Sequence, residues 1–362
     1  MHHSTFRRGL SNVCLLLALT LLIPVLPACA QTGPSRYSAM IYDVFDTVIT
    51  LIGYADSQET FERVFHDMAD QFSHYNQLFD NYHAYEGVAN LYTLNHEAMN
   101  APVQVDRELF DMLKWCKEKQ LTLSEDTVNI AMGAVLSIWH EYREAGIEDL
   151  GKAKLPPMHE LEAAAQHTSI DDLILDEEAL TVYYRDPDLR LDLGAVAKGY
   201  TAQLVAERLY ESDMPSFILN AGGNVVTGRQ PLDGRENWGV GIQDPDGNAQ
   251  VEVLYLREKS VVTSGDYQRY YVVDGQRYSH LISPETLMPA AWFRSVTVVA
   301  EDSGFCDFLS TKLFLMPYEE GRAFVDGLDG VEAYWIMPDL TVRMTEGMKR
   351  YARSAGATSM TK

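Results

Sequence analysis

Three clusters of polar residues lie where the sequence predicts that a strand ends or a helix begins. The first runs from Asp192 to Gly199 (DLGAVAKG). An apolar strand would deliver Asp192 to the edge of a sheet, and Gly194 permits a tight turn into a helix. The free N–H groups at the start of that helix, reinforced by Lys198, favour an anionic phosphate. The alternative is that Asp192 only caps the helix.

The second cluster, Cys306 to Thr311 (CDFLST), begins an apolar segment that we predict to be a helix. Asp307 and Thr311 are four residues apart and therefore point to one helix face. A carboxylate and a hydroxyl suit a hard cation that keeps water or phosphate oxygens as further ligands, as Mg²⁺ does. The alternative is that Asp307 is the N-cap of the helix and that Thr311 bonds to its own backbone.

The third cluster combines the segments NAGGN (220–224), TSG (263–265) and SHLI (279–282). We interpret the double glycine as lying inside a β-branched strand, where it would let another backbone or a flat ligand come close. His280 is either an exposed side chain beside a hairpin or, in a site, the group that can take a proton near neutral pH.

Other known catalytic and nucleotide-binding motifs are absent from the sequence or incomplete. The sequence has no G-x-G-x-x-G after a strand and no G-x-x-x-x-G-K-[ST], which argues against a Rossmann or P-loop nucleotide site. His159-Glu160 resembles the start of a zinc-protease motif, but Ala163 stands where the second histidine would be. Cys116 and Cys306 belong to no C-x-x-C pair, and we interpret them as free core thiols, with a disulfide as the alternative.

The elements around these clusters indicate an α+β fold, because helices come early and strands late. The later strands read as antiparallel, with hairpin turns at Asp246-Gly247 and Asp274-Gly275. We predict a single compact unit of two lobes, with mixed or antiparallel sheets flanked by helices. The opening strand is predicted at Ala39–Gly53, and the helices at Gln58–Leu78, Arg107–Gln120, Gly133–Ala145, Leu155–His167, Val196–Tyr210, Asp307–Met316 and Tyr318–Asp326.

The N-terminus carries the features of an exported protein. Arg7 and Arg8 precede an apolar run that ends in LPAC, at a small residue followed by Cys29. The run is too short for a membrane span and is typical of a secretory signal. The cysteine resembles that of a bacterial lipoprotein signal, with cleavage before Cys29 and lipid on its sulfur. The alternative is ordinary cleavage near Ala28 or Ala30 and a soluble product.

These features predict a signal peptide over 1–28, a tether over 29–37, a main domain over 38–350 and a flexible tail over 351–362. We expect a protein on the outer face of the bacterial inner membrane, whose lipid is its only membrane contact. The net charge of −23 supports this expectation. Such an acidic surface repels nucleic acid and anionic headgroups.

Taken in order, the segments resemble the ApbE family of flavin transferases, from about residue 40 to 340. The strongest matches are D-x-G-x-x-x-K-G at Asp192–Gly199 and D-x-x-S-T at Asp307–Thr311. The NAGGN, TSGDY and SHLI segments lie between them in the family's order. Upstream, Phe45–Thr47 resembles the family's M-G-T opening, and Asn129–Trp139 resembles its F-D-x-x-x-G-P-L-v-x-x-W segment.

The resemblance implies that FAD lies between the lobes with Mg²⁺ on its pyrophosphate. It implies that FMN is transferred to a threonine or serine hydroxyl of an acceptor protein and that AMP is released. By motif position the metal ligands are the Ala195 backbone carbonyl, Asp307 and Thr311. His280 is our candidate base, and Lys198 assists at the phosphate. The residues lining the flavin or adenine would be Asp192, Lys198, Leu281, Phe45, Tyr82, Thr127, Val128 and Asn129.

The acceptor that the resemblance implies is a flavoprotein subunit of a membrane electron-transport complex or another exported flavin-carrying domain. Two alternatives stay open: an FAD pyrophosphatase that yields FMN and AMP, and a non-catalytic lipoprotein that binds flavin. The sequence also departs from the family pattern at four positions. Ser283 and Asn129 each replace a common Asp, Leu287 replaces the common Gly of P-x-T-G, and Gln203 replaces an acid.

Overall fold

The computed structural model of the chain describes residues 33–124 and 127–360. One compact unit extends from Pro34 to the C-terminus, as the lack of a clean linker predicts. The predicted signal peptide and Cys29 lie outside the described residues. Within the described ranges, no helix is both long and apolar enough to cross a bilayer.

The bounds of the elements are as follows. The helices are α1 Gln58–Phe79, α2 Leu91–Glu97, α3 Arg107–Lys119, α4 Gly133–Glu148, α5 Met158–Ala164, α6 Ala197–Glu211, α7 Ser303–Phe314 and α8 Tyr318–Asp326. The strands are β1 Ser35–Val44, β2 Thr47–Ala55, β3 Val103–Gln104, β4 Leu173–Asp176, β5 Thr181–Tyr184, β6 Phe217–Ala221, β7 Asn224–Thr227, β8 Trp238–Gln243, β9 Gln250–Leu256, β10 Lys259–Gly265, β11 Tyr270–Val273, β12 Gln276–Ser279, β13 Ser295–Ala300, β14 Glu332–Ile336 and β15 Val342–Met344.

The main sheet has eight strands in the order β1-β2-β6-β7-β10-β13-β14-β15. A smaller sheet has the order β3-β5-β4, and β8–β9 and β11–β12 form separate hairpins. Neighbouring strands in all of these sheets run antiparallel. This arrangement confirms the α+β class and the predicted hairpins, where Asp274 and Gly275 turn with φ of 50° and 80°.

Helix α7 packs against the middle of the main sheet. Its residues Leu309 and Phe314 lie in one apolar cluster with Val262 of β10 and Val296 of β13, and all four are at most 1% exposed. Complete burial of each such side chain stabilises the fold by about 1.5–3 kcal/mol. This packing gives the polar residues of α7 a fixed direction toward the ends of β10 and of α6. Cys116 and Cys306 are buried free thiols, as predicted.

The predicted strand Ala39–Gly53 is instead a hairpin of β1 and β2. Ala39 pairs with Leu51, and the chain turns at Phe45 and Asp46, whose φ angles are 53° and 51°. The turn contains no glycine, and Asp43 and Asp46 are the only turn-favouring residues in it, so the sequence analysis missed the turn. Since β1 begins at Ser35, the end of the predicted tether belongs to this strand.

The double glycine lies in a hairpin turn between β6 and β7, and the prediction of one continuous strand is wrong. Gly222 and Gly223 have φ angles of 60° and 93°, which favour glycine. The Gly223 N–H donates to Oδ1 of Asn220 at 3.0 Å, which closes the turn. A Cβ on Gly222 would collide with the side chain of Thr47.

Helix α7 begins earlier than predicted. Its N-cap is Asp302, whose side chain accepts a 2.6 Å hydrogen bond from the Phe305 N–H. Asp307 therefore lies in the second turn of the helix, and the alternative in which it is the N-cap is wrong. A short helix that the sequence analysis did not predict, α2, is capped by Asn90, which accepts from the Thr93 N–H at 3.0 Å.

The residues after 350 pack against the hairpin β8–β9. Ala352 is fully buried and pairs with Leu254, and the carbonyl of Ser359 accepts the N–H of Glu236 at 2.7 Å. The prediction of a flexible tail is therefore wrong for 351–360. Met360 is the only large apolar residue after Tyr351, so the sequence alone offered no apolar period to reveal this packing.

Candidate active site

A cavity of about 520 Å³ brings the three polar clusters together. This volume is in the range of roughly 300–1,000 Å³ that is typical of small-molecule sites. The predicted residues that line it are Tyr82, Thr127, Val128, Asn129, Asp192, Ala195, Lys198, His280, Leu281, Asp307 and Thr311. Phe45 is not among the lining residues, because its side chain packs against the apolar core. Its neighbours Asp46 and Thr47 line the cavity instead.

Asp307 is a buried carboxylate with few protein partners. It is 4% exposed, and its Oδ2 accepts a 2.8 Å hydrogen bond from the Gly199 N–H at the start of α6. Burial raises the pKa of Asp307, while the charge of Lys198 and the Gly199 N–H act in the opposite direction. An ionised carboxylate in this position is stabilised by a cation that reaches it from the cavity.

The hydrogen bond to Asp307 also satisfies a backbone group in the first turn of α6. Gly199 is the third residue of this helix, and the N–H groups of the first turn have no partner within a helix. The Gly199 N–H finds its partner in Asp307, and Ala195, just before the helix, lines the cavity. Thr311 follows Asp307 by one turn of α7 and also lines the cavity.

The donor set fits Mg²⁺. Asp307, Thr311 and Ala195 offer a carboxylate, a hydroxyl and a backbone carbonyl, and hard divalent cations prefer such oxygen ligands. Mg²⁺ typically takes one or two carboxylates and keeps water or substrate phosphate oxygens as its other ligands. The shortage of protein partners around the buried Asp307 carboxylate is the structural observation that agrees with this cation.

A second group of possible metal ligands in the described part of the chain lies away from this cavity. It consists of His167, Asp186 and Asp188, whose ligand atoms lie within 4.8 Å of one another. His167 Nδ1 is already 2.8 Å from Oδ2 of Asp186. Burial acts to raise the pKa of Asp186, but hydrogen bonds from the Asp188 backbone and from His167 outweigh it and lower that pKa. The group is explained as a hydrogen-bonded cluster near the surface.

His280 is held through the backbone of Arg269. The carbonyl of Arg269 lies 3.1 Å from both the N–H and Nδ1 of His280. Because a carbonyl can only accept, Nδ1 carries the hydrogen and Nε2 keeps its lone pair. Burial, followed by the charges of Arg269 and Lys198, lowers the pKa of His280 to about 3. The imidazole is therefore neutral at neutral pH, which is the form that accepts a proton.

Positive side chains line the cavity although the chain as a whole is strongly acidic. Besides Lys198, Arg143 and Arg269 contribute guanidinium groups. Arg269 donates to the Phe45 carbonyl at 3.3 Å, and Arg143 lies 2.8 Å from Nδ1 of His140. Such a local concentration of positive charge attracts an anionic ligand and orients it.

These arginines were not predicted from the sequence. His140 and Arg143 are three residues apart on one face of α4, directly after the family-like segment that ends at Trp139. Arg269 follows the TSGDY stretch within two residues. The spacing on α4 was a usable signal, because residues at i and i+3 share a helix face. Nothing in the local sequence placed Arg269 beside His280.

Asp192 shapes the turn before α6 rather than capping the helix. Its Oδ1 accepts the Gly194 N–H at 2.7 Å, and its Oδ2 accepts from Nδ2 of Asn81 at 3.1 Å. The N-cap of α6 is Val196, which makes no capping bond with its side chain. The capping alternative for Asp192 is therefore wrong. Its carboxylate thus connects the loop after α1, through Asn81, to the turn that precedes α6.

Tyr82 provides an aromatic surface at the rim of the cavity. Its ring centroid lies 4.6 Å from that of His140, with an interplanar angle of 34°. Burial of the hydroxyl, together with the charge of Asp192, raises the pKa of Tyr82 to about 12. Because 47% of the residue is still exposed, a flat ring in the cavity could stack against it.

The departures from the family pattern are accommodated locally. Leu287, at the common glycine position, has a φ of 58°, and its carbonyl accepts the indole N–H of Trp139 at 2.9 Å. That left-handed conformation costs about 1–2 kcal/mol for a residue with a Cβ. Gln203 accepts the Ser303 N–H at 2.9 Å, and Asn129 accepts the Ala131 N–H at 2.8 Å.

The fold surrounds one cavity that is lined by oxygen donors, by positive side chains and by a neutral histidine. The ApbE family model matches residues 45–335, which is most of the chain. The chain belongs to the ApbE family.

Named relatives agree with this assignment. A FAD:protein FMN transferase of Treponema pallidum is 33% identical over 276 residues, which are 71% of this chain and 73% of that protein. A FAD:protein FMN transferase of Klebsiella pneumoniae is 31% identical over 246 residues, covering 67% of this chain and 73% of the relative.

Solved structures show the same fold. The ApbE protein of Thermotoga maritima has a TM-score of 0.77 at 25% identity, over 88% of this chain and 99% of that one. The flavin transferase ApbE of Vibrio cholerae has a TM-score of 0.71 at 21% identity, over 88% of this chain and all of that one. The predicted family and fold are confirmed.

Proposed function

We propose that this chain transfers FMN from FAD to a serine or threonine hydroxyl of an acceptor protein and releases AMP. The observation that carries the proposal is that one cavity contains the buried carboxylate of Asp307, the ammonium group of Lys198 and the neutral imidazole of His280. The names of the relatives support the same reaction. Phosphoryl transfer requires these functions: charge neutralisation, positioning and a group that accepts the proton of the nucleophile.

The pyrophosphate of FAD binds at the start of α6. Lys198 lies in the first turn of that helix, whose N-terminal end carries a partial positive charge. Arg143 and Arg269 add positive charge to the cavity. Tyr82, whose ring is tilted against that of His140, offers a surface for one of the two ring systems of FAD. The cavity thus holds the ligand at both its charged and its flat parts.

Asp307, Thr311 and the Ala195 carbonyl would hold Mg²⁺. The cation would neutralise charge on the pyrophosphate and polarise its phosphorus–oxygen bonds. The protein contributes the direction of each ligand: the N–H of Gly199 fixes the Asp307 carboxylate, and packing of α7 on the sheet fixes Thr311.

His280 accepts the proton of the acceptor hydroxyl through Nε2. The hydroxyl oxygen forms a new bond to the phosphorus on the FMN side, the bond from that phosphorus to the AMP oxygen breaks, and AMP leaves with the electron pair. A base with a pKa of about 3 is weak in the free chain. The bound pyrophosphate raises that pKa, because a nearby negative charge stabilises the imidazolium.

The acceptor is a flavoprotein outside the cytoplasm, a subunit of a membrane redox complex or another exported flavin-carrying domain. Lipid on Cys29 would hold the enzyme at the outer face of the inner membrane, close to such an acceptor. The pattern at residues 1–29, which lies outside the described residues, supports this part of the proposal.

Incubation of the purified chain with FAD, Mg²⁺ and a candidate acceptor domain tests the reaction. We expect flavin fluorescence that stays with the acceptor on a denaturing gel, together with stoichiometric AMP. Free FMN and AMP with an unmodified acceptor would indicate a pyrophosphatase. Unchanged FAD would indicate flavin binding without catalysis, provided that another ApbE enzyme modifies the same acceptor.

A further inference from the structure

Three hydroxyl groups form a chain beside the proposed cation site. Oγ of Ser264, at the end of β10, lies 2.8 Å from Oγ of Ser310 and 3.4 Å from Oγ1 of Thr311, both on α7. Oγ of Ser310 lies 3.0 Å from the backbone carbonyl of Asp307. Ser310 is fully buried and Thr311 is 6% exposed.

Which hydroxyl donates in each of these contacts follows from the number of hydrogens available. Each hydroxyl has one hydrogen to donate, and the Asp307 carbonyl has none. Ser310 therefore donates its hydrogen to that carbonyl. Its contact with Ser264 then uses the hydrogen of Ser264. Ser264 has no hydrogen left for Thr311, so the hydroxyl of Thr311 donates to Ser264.

We infer that Ser264 and Ser310 orient the hydroxyl of Thr311 so that its lone pairs face the cation. With its hydrogen directed to Ser264, the Thr311 oxygen presents only lone pairs to the cavity. If Ser264 instead donated to Thr311, the hydrogen of Thr311 would be free to turn toward the cation, which it would repel. Both serines are positioning residues that act through Thr311, and the inference rests on the cation site of the proposed function.

Ser310 distinguishes this role from direct ligation. Ser264 lines the cavity and could itself contact a cation, whereas Ser310 is not among the lining residues. Loss of the Ser310 hydroxyl leaves every oxygen of the cavity in place. Weaker cation binding by a Ser310→Ala chain whose stability is unchanged therefore arises indirectly, through the groups that the Ser310 hydroxyl contacts. Residues that orient metal ligands in this way typically change metal affinity by about 10–100-fold.

The test measures Mn²⁺ binding to the full chain by the electron paramagnetic resonance signal of unbound Mn²⁺, first without and then with FAD. We expect Ser310→Ala and Ser264→Ala to bind Mn²⁺ about 10–100-fold more weakly than the unsubstituted chain. Ser264→Thr keeps a hydroxyl and should restore affinity to within a few fold. Ser260→Ala is the matched control, because Ser260 is a buried serine of the same strand that donates to the Glu301 carbonyl at 3.0 Å.

The outcomes separate the inference from the proposed function. Wild-type affinity in Ser310→Ala, with its thermal unfolding midpoint unchanged, would overturn the inference. An effect of Ser264→Ala that Ser310→Ala does not share would also overturn it and would make Ser264 a ligand. If Ser310→Ala fails to fold, equal affinities of Ser264→Ala and Ser264→Thr would overturn it. If Asp307→Asn binds Mn²⁺ as well as the wild type, the cation site itself fails, and with it that part of the proposed function.

Discussion

The N–H of Gly199 donates a 2.8 Å hydrogen bond to Oδ2 of Asp307, and this bond joins the first turn of α6 to the second turn of α7. A Cβ at position 199 would collide with the Cβ of Asp307 and would lie 2.5 Å from the Ser303 carbonyl oxygen. The helices can therefore approach this closely only with glycine there. The same bond aims the Asp307 carboxylate and satisfies a backbone N–H in the first turn of α6.

Gly199→Ala should therefore damage both packing and cation binding. We expect the free energy of unfolding to fall by about 1–3 kcal/mol, as for other insertions into a packed interior, and Mn²⁺ affinity to fall with it. Urea unfolding and Mn²⁺ titration measure the two effects. Gly247→Ala is the control, because its Cβ would meet no atom closer than 3.7 Å. Unchanged stability and cation affinity in Gly199→Ala would contradict the close approach of the helices.

Asp307→Asn should separate stability from function. Burial raises the folded-state pKa of Asp307 above the ordinary value of 3.8. Between pH 3.8 and that raised pKa the folded chain therefore binds more protons than the unfolded chain. The free energy of unfolding falls as the pH rises through this window. At neutral pH the ionised carboxylate thus costs stability in the metal-free chain. We expect Asp307→Asn to raise the unfolding midpoint of that chain and to lose Mn²⁺ binding and most transfer activity.

The matched control for that change is Asp302→Asn. Asp302 is the true N-cap of α7, and asparagine caps a helix as well as aspartate does. The Asp302→Asn substitution should therefore leave Mn²⁺ binding unchanged. A metal-free Asp307→Asn chain that unfolds earlier than the wild type would show that the carboxylate is stabilised by protein groups and does not need a cation.

The pH titration of His280 gives a third prediction. Its folded-state pKa is about 3, below the ordinary value of 6.5. The unfolded chain therefore binds more protons between these values, and the contribution of His280 to stability is lost as pH falls from 6.5 toward 3. In the free chain, the NMR signals of the His280 ring should not titrate near pH 6.5. An ordinary titration of His280 would contradict this prediction and would show that its ring is solvated.

Much of the site could be predicted from local sequence. Lys198, Asp307 and His280 each belong to a short segment whose residue types and spacing already suggest their chemistry. The resemblance to a known family then placed these segments in one cavity. The hairpin turn at Phe45-Asp46 was missed because it contains no glycine, and its signal rests on aspartates alone.

Contacts between distant elements could not be predicted in this way. Ser264 and Ser310 are separated by 46 residues, and their hydroxyls meet only because α7 packs on β10. The start of α7 was misplaced because the apolar period is clear only from Phe305 onward, although Asp302 before Ser303 and Gly304 is a recognisable N-cap. The sequence pattern thus identified which residues could react, and tertiary packing determined their partners.

The location of the protein remains a separate prediction. Cys29→Ala should release the chain from membranes into the soluble fraction and leave its purified activity intact, because the residues proposed to act on FAD all belong to the described part of the chain. Fractionation after a high-salt wash measures this, with Cys116→Ala as a control for loss of a cysteine. A Cys29→Ala chain that stays with the membrane would refute the lipid anchor.

The central claim is that the cavity transfers FMN to an acceptor and that His280 takes the proton of the hydroxyl. Its most direct test compares acceptor-bound flavin and released AMP for the wild type and for His280→Ala, at matched FAD saturation. We predict equal amounts of bound flavin and AMP for the wild type. For His280→Ala we predict a rate about 10²–10⁴-fold lower with little change in FAD affinity. Transfer by His280→Ala at the wild-type rate, or AMP from the wild type without any flavin on the acceptor, would contradict the claim.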